Sequence, residues 1–201
     1  MSVQDFPAVP VDLPEMAVLK RLGYNRHLTT IPPAQAAKIR VWMGEAFALC
    51  AFAGRAAVLA VRARGAGFVE LEDGTRWESA RLAETLAPFA RVAVFAVTAG
   101  AAVGAAARDK IAAGDGAAAL VYDATASESV EAAADWLDAF LCRRQGAPAR
   151  GNHRFSPGYF DWPLAAQATI DRILDLAAIG VSLTPSFQLS PEKTVTAVKG
   201  V

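Results

Sequence analysis

Hydrophobic positions change between helical and strand spacing along the chain, which predicts a mixed α+β fold. Residues 31–52 open with two prolines suited to a first helical turn and continue with apolar residues at helical spacing. Residues 56–63 and 67–73 are predicted strands, and the RGAG sequence between them favours a hairpin. The continuous apolar run at residues 92–100 is typical of a buried strand.

Shorter segments carry helical signals of their own. Helices are predicted over residues 16–25, 79–89, 101–116 and 161–180. We expect Ser79 to cap the second of these helices, because a serine hydroxyl can accept a hydrogen bond from a free N–H of the first turn. Asp161 is expected to cap the last helix, which Gly180 then ends.

The segment 117–144 has two interpretations. Its apolar residues predict a helix from about Ser127 onward, and Thr125 with Glu128 matches a capping box. Alternatively, the helix begins earlier and contains residues 117–124 as its buried first half. The pattern slightly favours this longer helix.

The order of the elements decides the fold class. Extended chain is predicted at residues 1–15, a loop at 145–153, and two final strands at 182–189 and 193–200. Strands and helices do not alternate regularly, which favours an α+β fold with a mixed or antiparallel twisted sheet flanked by helices. We predict an extended segment at residues 1–17, followed by a single domain at residues 18–201.

Composition and charge restrict the classes of partner. The 201 residues include 20 Lys plus Arg and 20 Asp plus Glu, so the formal net charge is zero and gives no reason to bind nucleic acid or an acidic membrane. Cys50 and Cys142 match no metal or disulfide framework, which predicts reduced thiols. The acidic, proline-rich N-terminus does not resemble a signal peptide, and the longest uncharged apolar run is too short for a membrane span. We therefore expect a cytoplasmic protein.

The motif that points to a function lies near the C-terminus. An arginine precedes a Ser-Pro-Gly-Tyr turn and a predicted helix, and the residues concerned are Arg154, Ser156, Pro157, Gly158 and Tyr159. A second run of spaced residues follows that helix: Gly180, Leu183, Thr184, Ser186, Pro191, Thr194, Val195 and Thr196. Together these segments closely resemble the activation domain of cobalamin-dependent methionine synthase, which carries an R-x-x-x-G-Y turn. The resemblance covers most of the chain from about residue 18, and residues 154–198 are its specific part.

The resemblance implies a ligand and a reaction. Domains of this family bind S-adenosylmethionine over the corrin face of cobalamin and support methylation of the inert cob(II) state, with an electron from a flavodoxin-type donor. By this likeness, Arg154 meets the ligand's carboxylate with its planar fork of donors, and Glu131 meets the ammonium group. Ser156 contributes backbone hydrogen bonds, Gly158 lets the ligand approach the backbone, and Tyr159 offers a ring with one polar tip.

The chain also departs from the family pattern. The family domain has an acidic residue before Pro-Phe-Phe that contacts the ligand, whereas LKRLGY occupies the equivalent region here. The family domain continues into a strand with a ligand-contacting tyrosine, whereas this sequence ends at Val201. Neither His27 nor His153 lies in a D-x-H-x-x-G cobalamin signature. The resemblance therefore implies that a partner methionine synthase or another corrinoid protein carries the cobalamin.

Three functional hypotheses follow. The first is a stand-alone reactivation subunit that binds S-adenosylmethionine. The second is a module that binds a corrinoid protein without using S-adenosylmethionine, since two family contacts are missing. The third is an unrelated small-molecule enzyme, for which the sequence offers no convincing pair of nucleophile and base.

Overall fold

The computed structural model describes residues 2–146 and 153–201. The β-strands in these residues are β1 (Val3–Phe6), β2 (Ala53–Gly65), β3 (Phe68–Leu71), β4 (Arg76–Glu78), β5 (Arg91–Thr98), β6 (Ser182–Leu183), β7 (Leu189–Ser190) and β8 (Thr194–Gly200). The α-helices are α1 (Glu15–Arg21), α2 (Pro33–Ala48), α3 (Ala80–Leu86), α4 (Ala102–Ala112), α5 (Gly116–Gln145) and α6 (Gln167–Leu174). Short 3-10 helices lie at Leu164–Ala166 and Leu176–Ile179.

Six of the strands form one sheet, and its order places β8 at an end. The strands run β4-β3-β2-β5-β8, and β1 also pairs with β2. Every pairing in this sheet is antiparallel. The predicted α+β class, with an antiparallel sheet and flanking helices, is confirmed. Strands β6 and β7 form a separate small hairpin.

Helices cover both faces of the sheet, which explains why β5 is apolar at nearly every position. One face packs against α5, whose alanines alternate with Val130 and Leu137 and let the helix lie close to Phe95. The other face packs against α3 and α6, with Trp77 and Trp162 in the core between them. The continuous apolar pattern at residues 92–100 was therefore correctly predicted as a buried strand.

Helix α5 is the longer of the two predicted alternatives. It begins at Gly116, where the carboxylate of Asp115 accepts a hydrogen bond from Ala118 N at 3.1 Å. Thr125 is fully buried inside the helix and donates its hydroxyl to Val121 O at 2.7 Å. The predicted capping box at Thr125 is therefore wrong, because a hydroxyl in mid-helix bonds back to the preceding turn.

The segment 161–180 is not one helix, and Asp161 does not cap it. Helix α6 lies between the two 3-10 helices, and Gly180 ends the second with a φ of +70°. The Asp161 carboxylate instead accepts hydrogen bonds from Ser79 Oγ and Ala80 N, each at 2.6 Å, at the start of α3. Ser79 caps α3 as predicted, accepting from Leu82 N at 2.9 Å.

The ends of the chain refine other predictions. Residues 182–189 were predicted as one strand, but they hold β6, a turn and the start of β7. The extended N-terminus contains β1, which pairs with β2, and Phe6 is buried. Part of the predicted loop 145–153 lies outside the described residues. Within the described residues, no helix is long and apolar enough to cross a membrane.

Candidate functional site

The Arg-to-Tyr turn is attached to the outer edge of β8. Phe155 N donates to Val198 O, and Val198 N donates to Phe155 O, each at 2.8 Å. These two bonds form an isolated antiparallel bridge. They place Arg154 and Ser156 on either side of a residue that is locked to the sheet.

Beyond Phe155 the chain turns sharply away from the strand. Gly158 adopts a φ of +92°, a conformation that residues with a side chain rarely adopt. Its N–H donates to Trp162 O at 2.8 Å, and Trp162 N donates to Tyr159 O at 3.1 Å. The Trp162 ring is buried and contacts the rings of Phe155 and Trp77. This anchored turn leaves Tyr159 64% exposed at its tip.

Because the chain leaves the edge at Pro157, the first residues of β8 stay open. Backbone groups along a strand alternate in direction, so Thr194 and Thr196 present N–H and C=O to the same side as Val198. No strand in the described part of the chain pairs with that side of Thr194–Thr196. Thr194 and Thr196 are themselves only 9% and 2% exposed, so this unpaired edge forms part of the groove's lining and not an open surface.

A groove of about 190 Å³ lies along this open edge. Glu131 of α5 and Gln167 of α6 contribute from the two layers on either side of the sheet. The Gln167 amide oxygen accepts a hydrogen bond from Thr196 Oγ1 at 2.8 Å, which holds this wall in place. The groove is lined by Glu131, Ser156, Pro157, Tyr159, Gln167, Leu189, Thr194, Val195 and Thr196.

Arg154 lies beside the groove and is held by two carboxylates. One guanidinium nitrogen contacts Glu131 Oε2, and the other contacts Asp135 Oδ1. Glu131 and Asp135 are one turn apart on α5, so both face the arginine. On its other side, Arg154 borders a hollow of about 540 Å³ that includes Arg81, Glu84 and His153.

The structure thus brings the five predicted site residues together in one region. Glu131, Ser156 and Tyr159 line the groove, Gly158 shapes the turn and Arg154 pairs with Glu131. Their individual roles stay predictions.

Sequence reasoning missed Asp135 and Gln167. Asp135 follows Glu131 at i+4, a spacing that could have marked it. Gln167 had no signal, because only the fold brings α6 to the edge of β8.

The whole fold has a solved counterpart. No family model matches the chain, and no curated protein matches it in sequence. The chain is similar to the crystal structure of the MetH reactivation domain bound to AdoHcy, with a TM-score of 0.72. The match covers 100% of this chain and 78% of that one, at 19% sequence identity.

The chain has the reactivation-domain fold. The resemblance seen at the Arg-to-Tyr turn therefore extends, as a fold, over all described elements of the chain. At 19% identity the likeness is one of backbone architecture, so the chemistry of the groove is argued from this chain's own residues.

Proposed function

We propose that the chain is a reactivation subunit that binds S-adenosylmethionine and supports reductive methylation of cob(II)alamin on a partner. That partner is a methionine synthase or another corrinoid protein. The observation that carries the proposal is the Arg154–Glu131 pair beside an open sheet edge in a reactivation-domain fold. The MetH domain with this fold was solved with AdoHcy, the demethylated relative of the proposed ligand.

The charges at the groove suit the amino-acid end of that ligand. A guanidinium matches a carboxylate in a planar, two-point geometry, and a carboxylate pairs with an ammonium group. Arg154 and Glu131 contact each other, so together they offer a zwitterion one partner for each of its ends. An arginine has five N–H donors, so its contacts with Glu131 and Asp135 leave donors for a ligand.

The uncharged residues suit the rest of the ligand. Gly158 leaves the turn without a side chain where Ser156 and Tyr159 border the groove. Ser156 would supply backbone hydrogen bonds, and the exposed ring of Tyr159 could cover an apolar part of the ligand.

The size of the groove supports a role for a partner. Sites that enclose a drug-sized ligand usually measure about 300–1,000 Å³. The present groove of about 190 Å³ is smaller, so it would hold part of the ligand and leave the rest at the surface. A corrinoid protein docked there would cover the exposed part.

In this proposal the chain binds and positions, while its ligand and its partner supply the reactive atoms. Bound S-adenosylmethionine supplies an electrophilic methyl group, for which the cobalt of the partner is the acceptor once a flavodoxin-type donor provides an electron. Arg154 and Glu131 hold the ligand's polar end, which orients the sulfonium end. No side chain of the groove needs to act as a nucleophile.

Calorimetric titration with S-adenosylmethionine tests the ligand site. Each lost hydrogen bond to a charged group is worth about 1.5–3 kcal/mol, so Arg154→Ala should weaken binding by about 10- to 100-fold. Arg62→Ala is the matched control, because Arg62 is also an ion-paired arginine but pairs with Glu70 on the sheet, away from the groove. Equal affinity in wild type and Arg154→Ala would contradict the proposed site.

The second candidate is a corrinoid-binding module that does not use S-adenosylmethionine. It is favoured by the ion pairs of Arg154 with Glu131 and Asp135, because a ligand carboxylate would have to compete with these two side chains for the guanidinium. Mixing the chain with a cob(II)alamin-loaded corrinoid protein and a reduced flavodoxin-type donor, with and without S-adenosylmethionine, separates the two candidates, because methylcobalamin has its own absorption spectrum. A complex that forms equally well without S-adenosylmethionine, and never yields methylcobalamin, supports the second candidate.

A further inference from the structure

The Arg154 site contains one more carboxylate than it has cations. Arg154 contacts both Glu131 and Asp135, which gives the three side chains a formal net charge of −1. Arg154 is 22% exposed and Asp135 is 74% exposed, so the excess charge lies on the solvent side of the pair. Asp135 does not line the groove itself, so its charge would act on a bound ligand from behind Arg154, which it contacts.

The neighbouring charges do not neutralise it. Arg81 pairs with Glu84 at 2.7 Å, Lys193 pairs with Asp123 at 2.5 Å, and Lys199 pairs with Asp138 at 2.7 Å. Each of these ion pairs is neutral by itself. Asp161 and Glu192 also stand outside the ion pairs of the described residues, so the Arg154 cluster is one of the nearby sources of negative charge and the one that contacts the groove residue Glu131.

S-adenosylmethionine and its demethylated product differ in charge at one atom. Both carry a carboxylate and an ammonium group, so Arg154 and Glu131 meet the same groups in each ligand. Only S-adenosylmethionine has a positive sulfonium, which gives it a net charge of +1, whereas the thioether product is neutral overall. A site that distinguishes them by charge needs a negative group beyond the two that bind the zwitterion.

We propose that Asp135 is a specificity-determining residue that makes the site prefer the sulfonium ligand over the thioether. This inference rests on the proposed function and adds a selection between substrate and product. Asp135 supplies the third charge, which attracts a net cation and has no such attraction for a neutral zwitterion. Preference for the cation keeps the methyl donor bound at the expense of the spent product.

The expected effect is modest because Asp135 is largely exposed. Charge interactions at exposed sites are screened by water and salt, and their measured energies correspond to factors of up to about fivefold in affinity. The wild-type ratio of the two dissociation constants, thioether over sulfonium, should therefore fall by up to about fivefold in Asp135→Asn. The same ratio in wild type should fall when sodium chloride is raised.

Calorimetric titration of wild type and variants with both ligands measures this ratio. Glu70→Gln is the matched control, because Glu70 also pairs with an arginine, Arg62, and lies on β3, away from the groove. It should leave the ratio unchanged. Asp135→Glu, which keeps the charge, should restore the wild-type ratio; a purely structural role of Asp135 would not follow charge in this way.

The outcomes separate this inference from the proposed function. If both ligands bind, Arg154→Ala weakens both, and Asp135→Asn leaves the ratio unchanged, only the inference is overturned. If Glu70→Gln lowers the ratio as much as Asp135→Asn, the effect is one of total charge and the inference is again overturned. If wild type binds neither ligand, the inference and the proposed ligand site fall together.

Discussion

The two halves of the outer edge of β8 have opposite surroundings, although they belong to one seven-residue strand. In the closed half, residues 197–200, Val198 is bonded to Phe155, and the ring of Phe89 leaves no room for a Cβ at Gly200. In the open half, residues 194–196, the edge faces a groove with Glu131 and Tyr159 on its walls. The same backbone thus supports packing at one end and offers a ligand site at the other.

The difference shows how a sheet edge can stay accessible without inviting another strand. An unpaired edge is a template for aggregation when it is long, flat and apolar. The closed half removes most of the edge from solvent. The open half is only three residues long and is bordered by a carboxylate, so it suits a small polar ligand better than a continuous strand.

Removing the aromatic support of the closed half should have the largest effect on stability. Trp162 is 1% exposed and lies against Phe155 and Trp77, at ring-centre distances of 5.8 and 5.2 Å. Trp162→Ala should lower the free energy of unfolding by about 3–5 kcal/mol, measured by urea denaturation. The loss of this ring should also loosen the turn that carries the site.

Tyr159 provides the matching test in the open half. Its ring is 64% exposed, so Tyr159→Ala should change the free energy of unfolding by no more than about 0.5 kcal/mol. It should nevertheless weaken binding of S-adenosylmethionine. If the two alanine variants destabilise the protein equally, the contrast between a packed half and a ligand half is wrong.

A loss of stability between those expected for Trp162→Ala and Tyr159→Ala should test the role of the turn between the halves. Gly158 has a φ of +92°, and a Cβ there would lie 3.3 Å from Leu164 Cδ1. Gly158→Ala should lower stability by about 1–2 kcal/mol, because a residue with a Cβ is strained in this conformation. It should also weaken ligand binding, since the strain acts on residues that border the groove.

The variant Gly180→Ala is the control that separates the effect of backbone strain from the effect of the position of the turn beside the groove. Its φ is +70°, and nothing lies within 4 Å of a Cβ placed there. Gly180→Ala should therefore lower the free energy of unfolding by a similar amount and leave the affinity for S-adenosylmethionine unchanged. An equal loss of affinity in both variants would show that general destabilisation, not the turn, controls the groove.

The elements of the core were predictable from sequence because local pattern and burial agree there. Helix α2 begins at the second of two consecutive prolines, and the apolar run in β5 is buried on both faces as its composition predicts. The start of α5 was ambiguous because alanine-rich chain carries little periodicity. The hairpin of β6 and β7 was predicted as one strand, because its two-residue strands are too short to show alternation.

Only the part of the candidate site that lies within one contiguous motif was predictable from sequence. Residues 154–159 are contiguous, so a local sequence could mark Arg154 and Tyr159. Contacts between residues distant in sequence had no local motif to mark them. Asp135 was not predicted to contact Arg154, and Asp161 was predicted to cap the helix that follows it. A side chain that caps a helix distant in sequence looks identical to a local cap until the fold is known.

The smallest expected effect concerns that distant cap and is visible only through its pH dependence. The Asp161 carboxylate accepts hydrogen bonds chiefly from Ser79 and also from the backbone of Arg81 and Ala80, which lowers its pKa below the ordinary value of 3.8. A carboxylate whose pKa is lower in the folded state than in the unfolded state stabilises the folded protein when the pH is above its ordinary pKa. This contribution is lost as the pH falls through the folded-state pKa. Asp161→Asn should therefore be less stable than wild type at pH 7, and the difference should disappear in acid below that pKa. Urea denaturation of both proteins over a pH series measures it. A difference that stays constant down to acidic pH would mean that the carboxylate's charge does not matter, and that Asp161 ties the turn to α3 by shape alone.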